Sequence, residues 1–169
     1  MLETKRGRLV RPAPGHFEGL AAIESDAEVV ARTGLRLPKS REETASRLQD
    51  QIAREAERAP LGVWIAELAD ASFAGWFMLL PMEFSGPELG YMLARSAWGK
   101  GYATEFAARL LEYGRSAGFR EFYARADADH RTSIRVLEKL GFERKEVRRG
   151  RDPKLGREVE TAVFLFRAP

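Results

Sequence analysis

Trp98-Gly99-Lys100-Gly101-Tyr102-Ala103-Thr104-Glu105 is the stretch whose reading decides the fold. A short apolar run, Leu89-Gly90-Tyr91-Met92-Leu93, precedes it. Ala103, Phe106, Ala107, Leu110 and Leu111 follow at helical spacing. The order is therefore strand, glycine-bearing turn, helix. Gly99 and Gly101 let the backbone bend without a Cβ in the way. The first N–H groups of a helix lack internal partners and carry a partial positive charge. Such a turn can hold a phosphate or pyrophosphate. It can equally be plain turn geometry, so two glycines decide nothing alone. No Gly-Lys-Ser or Gly-Lys-Thr closes it as a Walker loop, and a Rossmann fingerprint would need glycine at Thr104.

Working outward, the helix runs to about Ala117 and Gly118 ends it. Phe119 to Ala126 alternates like a strand. Thr132 or Ser133 then caps a helix bearing Ile134, Val136, Leu137 and Leu140, closed by Gly141. A last hairpin pairs Phe142–Arg148 with Glu158–Arg167. Upstream, Arg8 to Arg11 reads as a first strand, and Phe17, Leu20 and Ala21 as a short helix. Ser40-Arg41-Glu42-Glu43 is a capping box opening a helix that ends before Pro60. The outer face of that helix, Arg47, Asp50, Gln51, Arg54, Glu55 and Arg58, reads as solvated surface. Leu61–Leu68 and Phe73–Leu80 form a hairpin, and Glu88–Leu93 is the next strand. The pattern predicts an α+β fold: a mixed, mostly antiparallel central sheet flanked by helices, in one domain over residues 1–169.

A chain of 169 residues suits one core, and 44% hydrophobic with 31% charged residues is ordinary for a globular protein. A net charge of +3 is too small to imply nucleic acid as a partner. With no cysteine there is no disulfide, no thiolate metal site and no acyl-cysteine intermediate. No apolar segment follows Met1–Arg6, so no secretory leader is expected; the longest apolar run, Phe73 to Met82, is about half a membrane span and contains Gly75 and Pro81, so no span is expected, and a cytoplasmic location fits. The hairpin cations Arg144, Lys145, Arg148, Arg149, Arg151, Lys154 and Arg157 lack the stacking aromatics or reading element of a nucleic-acid site. They are a solvated surface or an attractor for an anionic group.

The turn resembles the acetyl-CoA loop of the GCN5-related N-acetyltransferase (GNAT) family. That pattern is Arg or Gln, two residues, Gly, one residue, then Gly or Ala; it falls here on Trp98, Gly101 and Ala103. Trp-Gly-Lys-Gly-Tyr-Ala-Thr-Glu is similar to the branch that acetylates ribosomal-protein N-termini. Ser133-Ile134-Arg135-Val136-Leu137-Glu138-Lys139-Leu140-Gly141-Phe142 resembles that branch's second motif. The resemblance covers about residues 88–142 and is specific for fold and cofactor, not for acceptor. It implies an N-acetyltransferase with acetyl-CoA as co-substrate, no metal, and parallel strands that splay around the cofactor. It places the cofactor against Trp98, Gly99, Lys100, Gly101, Tyr102, Ala103 and Thr104, the backbone of Met92 and Leu93, and His130, where relatives carry Asn. It also allows a homodimer.

Acetyl transfer from a thioester needs a neutral amine, a polarised carbonyl and a stabilised thiolate. A lysine amine with pKa ~10.4 is about 0.04% neutral at pH 7, and an α-amine with pKa ~7.7–8.0 roughly a tenth. Glu88, opening the strand before the turn, is the candidate base; the bland alternative is a strand-edge carboxylate in water. Ser133 is the candidate donor to the thiolate, because Leu137 stands where many relatives have tyrosine; the bland alternative is a helix cap. The acceptor is a primary amine: a protein N-terminal α-amine first, then a polyamine or aminoglycoside. The other reading is a CoA-binding regulatory or structural module without catalysis.

Overall fold

The computed structural model describes residues 1–168. Eight strands form one sheet: β1 Leu2–Glu3, β2 Gly7–Val10, β3 Gly62–Leu68, β4 Phe73–Pro81, β5 Pro87–Leu93, β6 Glu121–Asp127, β7 Glu143–Asp152 and β8 Arg157–Arg167. The helices are α1 Phe17–Glu24, α2 Ala27–Val30, α3 Arg41–Ala53, α4 Glu55–Arg58, α5 Tyr102–Ser116 and α6 Arg131–Lys139. The sheet order is β1-β2-β3-β4-β5-β6-β8-β7. Every neighbouring pair is antiparallel except β5 and β6, which α5 joins as a crossover. This is the mixed, mostly antiparallel sheet that the sequence predicts.

Side chains alternate across the sheet and feed two cores. Leu89, Tyr91 and Leu93 of β5 join Phe77, Leu79, Phe122 and Ala124 under α5 and α6. Met92 joins Trp76, Val63 and Ile65 under α1, α2 and α3. Glu88 and Gly90 share the face of Met92. Thus β5, the strand leading to the glycine turn, carries different chemistry on its two faces.

Local signals explain most element ends. Ser40 Oγ accepts from Glu43 N–H and the Glu43 carboxylate accepts from Ser40 N–H, closing the capping box of α3. Asp26 accepts from the N–H groups of Glu28 and Val29 at the start of α2. Phe142 N–H reaches Leu137 O at 3.0 Å beyond Gly141, a Schellman end for α6. Three expectations change. The N-cap of α6 is His130, so Ser133 sits in the first turn and its hydroxyl caps nothing. The helix after Ser40 breaks at Arg54 into α3 and α4. The two-residue strand β1 is too short for any periodicity to reveal. Strand β7 is an edge whose exposed charges discourage pairing with another sheet.

Helix α5 lies close to the sheet because Gly114 has no side chain. A Cβ there would stand 2.5 Å from Cε1 of Phe122 and 3.1 Å from Cδ1 of Leu79. Gly114→Ala therefore overpacks the core, at about 1–3 kcal/mol. That outweighs the up to ~1 kcal/mol alanine gains in a helix. The expected result is a lower melting temperature in thermal denaturation; an unchanged or higher one would show that this contact is slack.

Candidate active site

The parallel ladder between β5 and β6 pairs only Glu88 with Tyr123 and Leu89 with Ala124. Beyond these two positions the strands no longer pair, which opens a gap toward the C-terminal ends of both. Ala94 N–H bonds Ala74 O at 2.9 Å, and the β4–β5 register runs from Leu93 to Pro87 without a shift. Bonded pairs recur at every second residue of such a ladder. Met92 therefore directs its backbone groups to Trp76, while Tyr91 and Leu93 direct theirs into the gap. Of Met92 and Leu93, which the sequence reading places against the cofactor, only Leu93 directs its backbone groups into the gap, and Tyr91 does the same. Leu93 O already accepts from the indole Nε1–H of Trp98 at 2.8 Å.

That bond defines Trp98. Although 41% exposed, it ties the turn back to the end of β5. Gly99 and Gly101 have φ of +71° and +80°, the left-handed region, and Gly101 is the N-cap of α5. The first α5 amide with a backbone acceptor is Glu105, to Gly101 O at 3.1 Å. The N–H groups of Tyr102, Ala103 and Thr104 are thus the unpaired amides of the helix start. Arg6 braces the turn from outside: its Nη1 donates to Lys100 O at 2.8 Å, and its Nε to Glu105 Oε2 at 2.6 Å. Its guanidinium lies 4.3 Å from the Tyr102 ring centroid.

A cleft of about 660 Å³ opens beside the gap and gathers Glu88, Tyr91, Arg125, His130, Ser133 and Leu137. The turn from Trp98 to Thr104 lies outside its lining, as does Met92. Glu88 is only 5% exposed, so the strand-edge carboxylate in water is ruled out. Arg125 Nε donates to Glu88 Oε1 at 3.1 Å, and Arg125 Nη2 lies 3.0 Å from Oε2. Arg125 is shared with Glu83 at 3.1 Å. Burial pushes the Glu88 carboxyl above its ordinary value, and the Arg125 hydrogen bond and charge only partly offset this. A carboxylate with a raised pKa binds a proton more readily, which suits a base.

Ser133 lies across the sheet from Glu88. Its Oγ is 3.1 Å from the hydroxyl of Tyr91, and Leu137 sits one turn further along α6. Burial pushes the Tyr91 phenol up, the Ser133 hydrogen bond offsetting part of the rise. His130 is held below the ordinary imidazole value by burial and then by Arg32, so it is neutral at pH 7 and can hydrogen-bond without charge.

The sequence reading missed several charged groups of this site. Arg47 is not on a solvated face. It pairs with Glu24, a fully buried carboxylate that also accepts from Thr44 Oγ1 at 2.9 Å. Burial pulls the Arg47 guanidinium down to about 10. Arg36 has φ of +66° and reaches Asp127 at 2.7 Å and Asp152 at 2.8 Å, tying the loop after α2 to β6 and to the end of β7. Arg125 was legible only as the charged side of an alternating strand. Its pairing with Glu88 depends on the β5–β6 register, which no local pattern encodes.

Residues 6–143 match the acetyltransferase (GNAT) domain, and the chain belongs to that family. The uncharacterised N-acetyltransferase p20 of Bacillus licheniformis is 30% identical over 116 residues, 68% of this chain and 65% of that protein. The uncharacterised protein YkkB of Bacillus subtilis is 38% identical over 48% of this chain; the match spans about half, 51%, of YkkB. The uncharacterised N-acetyltransferase YoaA of Bacillus subtilis is 28% identical over 100% of this chain and 97% of that one. Among solved structures, a GNAT-family acetyltransferase from Bacillus anthracis superposes with a TM-score of 0.86 at 18% identity, covering 98% of this chain and 97% of that one. RimL, a ribosomal L7/L12 α-N-protein acetyltransferase in complex with coenzyme A, gives 0.82 at 16% identity, covering 97% and 95%. These structural likenesses establish the fold.

Two outcomes follow from this geometry. Gly101→Asp adds a negative charge at the start of α5, with its Cβ 3.5 Å from Arg6 Nη2, in a left-handed conformation that Asp tolerates better than most side chains. The variant should fold, with its melting temperature nearly unchanged, and bind acetyl-CoA at least about 100-fold more weakly, some 2.7 kcal/mol. Calorimetry showing wild-type affinity would remove the turn from the cofactor site. For Glu88, the acidic limb of kcat/KM should lie above the ordinary carboxylate range of about 4.3, because the free carboxylate is the working form and its pKa is raised. Glu88→Gln should abolish that limb and lower turnover about 10²-fold at pH 7, the loss shrinking as solvent supplies neutral amine. A loss that stays constant with pH would point to substrate binding instead.

Proposed function

We propose that this protein transfers the acetyl group of acetyl-CoA to a primary amine by direct attack within a ternary complex. One observation carries the reading. The β5–β6 ladder stops after Leu89, with Glu88 at its last positions on one face and Ser133 near Tyr91 on the other. A thioester lying in the gap would meet an amine from the Glu88 side and release sulfur toward the Ser133 side. The backbone groups of Tyr91 and the N–H of Leu93, whose carbonyl already accepts from Trp98, are suited to pair with an extended amide-bearing arm and to polarise the carbonyl. The unpaired amides of Tyr102, Ala103 and Thr104 are suited to the pyrophosphate. Glu88 takes the amine proton, and Arg125 keeps its carboxylate form accessible. The non-catalytic CoA-binding alternative has no observation behind it. Use of acetyl-CoA fits a cytoplasmic location, and no helix among the described residues is long and apolar enough to cross a membrane.

Charge selects among acceptors. Eight arginine or lysine side chains line the cleft against four carboxylates, with Arg32, Arg36, Arg47 and Arg151 among the cations. A polycation would be repelled; an α-amine on a chain with nearby carboxylates would be drawn in. RimL acts on a ribosomal-protein α-amine, whereas another likeness is a spermidine N-acetyltransferase of Vibrio cholerae (TM-score 0.81, 14% identity, 96% of this chain and 95% of that one). The cleft favours the first type. Thiol release measured with an acidic N-terminal peptide and with spermidine should give at least about tenfold higher kcat/KM for the peptide. The ratio should narrow as salt screens the cleft. Equal or better use of spermidine would overturn this choice of acceptor.

A further inference from the structure

Ser133 alone is a weak partner for a departing thiolate, because an aliphatic hydroxyl rotates freely and holds its proton tightly. The residue that corrects this is on β5. The Tyr91 hydroxyl lies 3.1 Å from Ser133 Oγ and has no other partner among the described residues. Its ring stacks on Phe77 with centroids 5.5 Å apart and planes at 25°, which fixes where the hydroxyl can reach. Both residues line the cleft beside Leu137, which offers no proton. Of two hydroxyls in contact, the phenol is the stronger acid and hence the better donor. Ser133 Oγ therefore accepts, and its own hydrogen is left for another acceptor in the cleft.

We propose that Tyr91 is a positioning residue for acetyl transfer: it donates to Ser133 Oγ and thereby aims and strengthens the Ser133 O–H as the donor to the CoA sulfur. This rests on the acetyl-transfer reading above. In the step itself the amine nitrogen pair forms the new C–N bond, the C–S bond breaks and its pair stays on sulfur. The amine proton goes to the Glu88 carboxylate. A thiolate is a far weaker base than an alkoxide or an amide anion, so it leaves with the help of a hydrogen bond rather than a full proton. Its proton later comes from solvent, to which Glu88 returns its own. Burial of Tyr91 agrees with this role, since a phenol with a raised pKa stays protonated and keeps donating.

The experiment titrates the thiol of bound CoA through the ultraviolet absorbance of the thiolate, in wild type, Tyr91→Phe and Ser133→Ala. Phe keeps the ring against Phe77, and Ala at position 133 removes no helix cap. The bound thiol should titrate below the value measured for free CoA in the wild type and rise by similar amounts in both variants. Tyr91→Phe should lower kcat about tenfold, the worth of one hydrogen bond, with KM for acetyl-CoA unchanged. The double variant should be no slower than Ser133→Ala, because both act through one contact. A wild-type thiol titration in Tyr91→Phe, or additive losses in the double variant, would overturn the role of Tyr91. An unshifted titration in Ser133→Ala overturns it as well, even if Tyr91→Phe fails to fold. Failure of CoA to bind the wild type would instead overturn the acetyl-transfer reading.

Discussion

Between β5 and β6, backbone pairing is confined to two positions, and both strands are held away from each other by their outer neighbours. β5 is paired with β4 along its whole length, and β6 likewise with β8. Helices α5 and α6 close the gap from one side with a continuous apolar core. Closing it further would strip β5 or β6 from a seven-residue ladder to gain a few hydrogen bonds. The backbone groups of Tyr91 and the N–H of Leu93 therefore remain oriented into an open slot, while Leu93 O is taken by Trp98, and an unpaired backbone group is costly when buried. A ligand with its own amides relieves that cost, so the architecture itself favours an extended, amide-bearing occupant.

The same two-position contact decides the electrostatics. Pairing Glu88 with Tyr123 brings Arg125, two residues on and on the same face, to the carboxylate. Stripping a charge of water is costly, and one cation shared with Glu83 repays it only in part. The outcome is a carboxylate that is ionised less readily than usual. Across the sheet the hydroxyls of Ser133 and Tyr91 lie among apolar side chains, where a hydrogen bond is stronger than in water. The Glu88 carboxylate and the two hydroxyls are thus on opposite faces of one sheet, with the gap beside them.

The sequence made the fold and the glycine turn before α5 legible because both are local. Glycines at Gly99, Gly101 and Gly141, the Ser40 capping box and the apolar spacing of α5 each state their geometry within a few residues. The acetyl-transfer candidates Glu88 and Ser133 were found by their place next to those signals. What stayed hidden depends on partners distant in the chain. Arg47 read as surface because its partner Glu24 lies on another helix. Tyr91 read as part of an apolar run because its hydroxyl meets a helix 42 residues away. Met92 and Tyr91 differ by one step of strand phase, which the sequence does not show: one residue along a strand reverses the direction of the backbone groups.

Arg6 gives the last consequence. Its contacts to Glu105 span 99 residues of chain, and it also supports the carbonyl of Lys100. During synthesis Arg6 is made long before Glu105, its partner on α5. The anion turn therefore cannot acquire its outer brace until that long loop closes, a step of high contact order. β1 and β2 can already be paired with β3 by then, so this edge of the sheet can form before the turn it supports is braced.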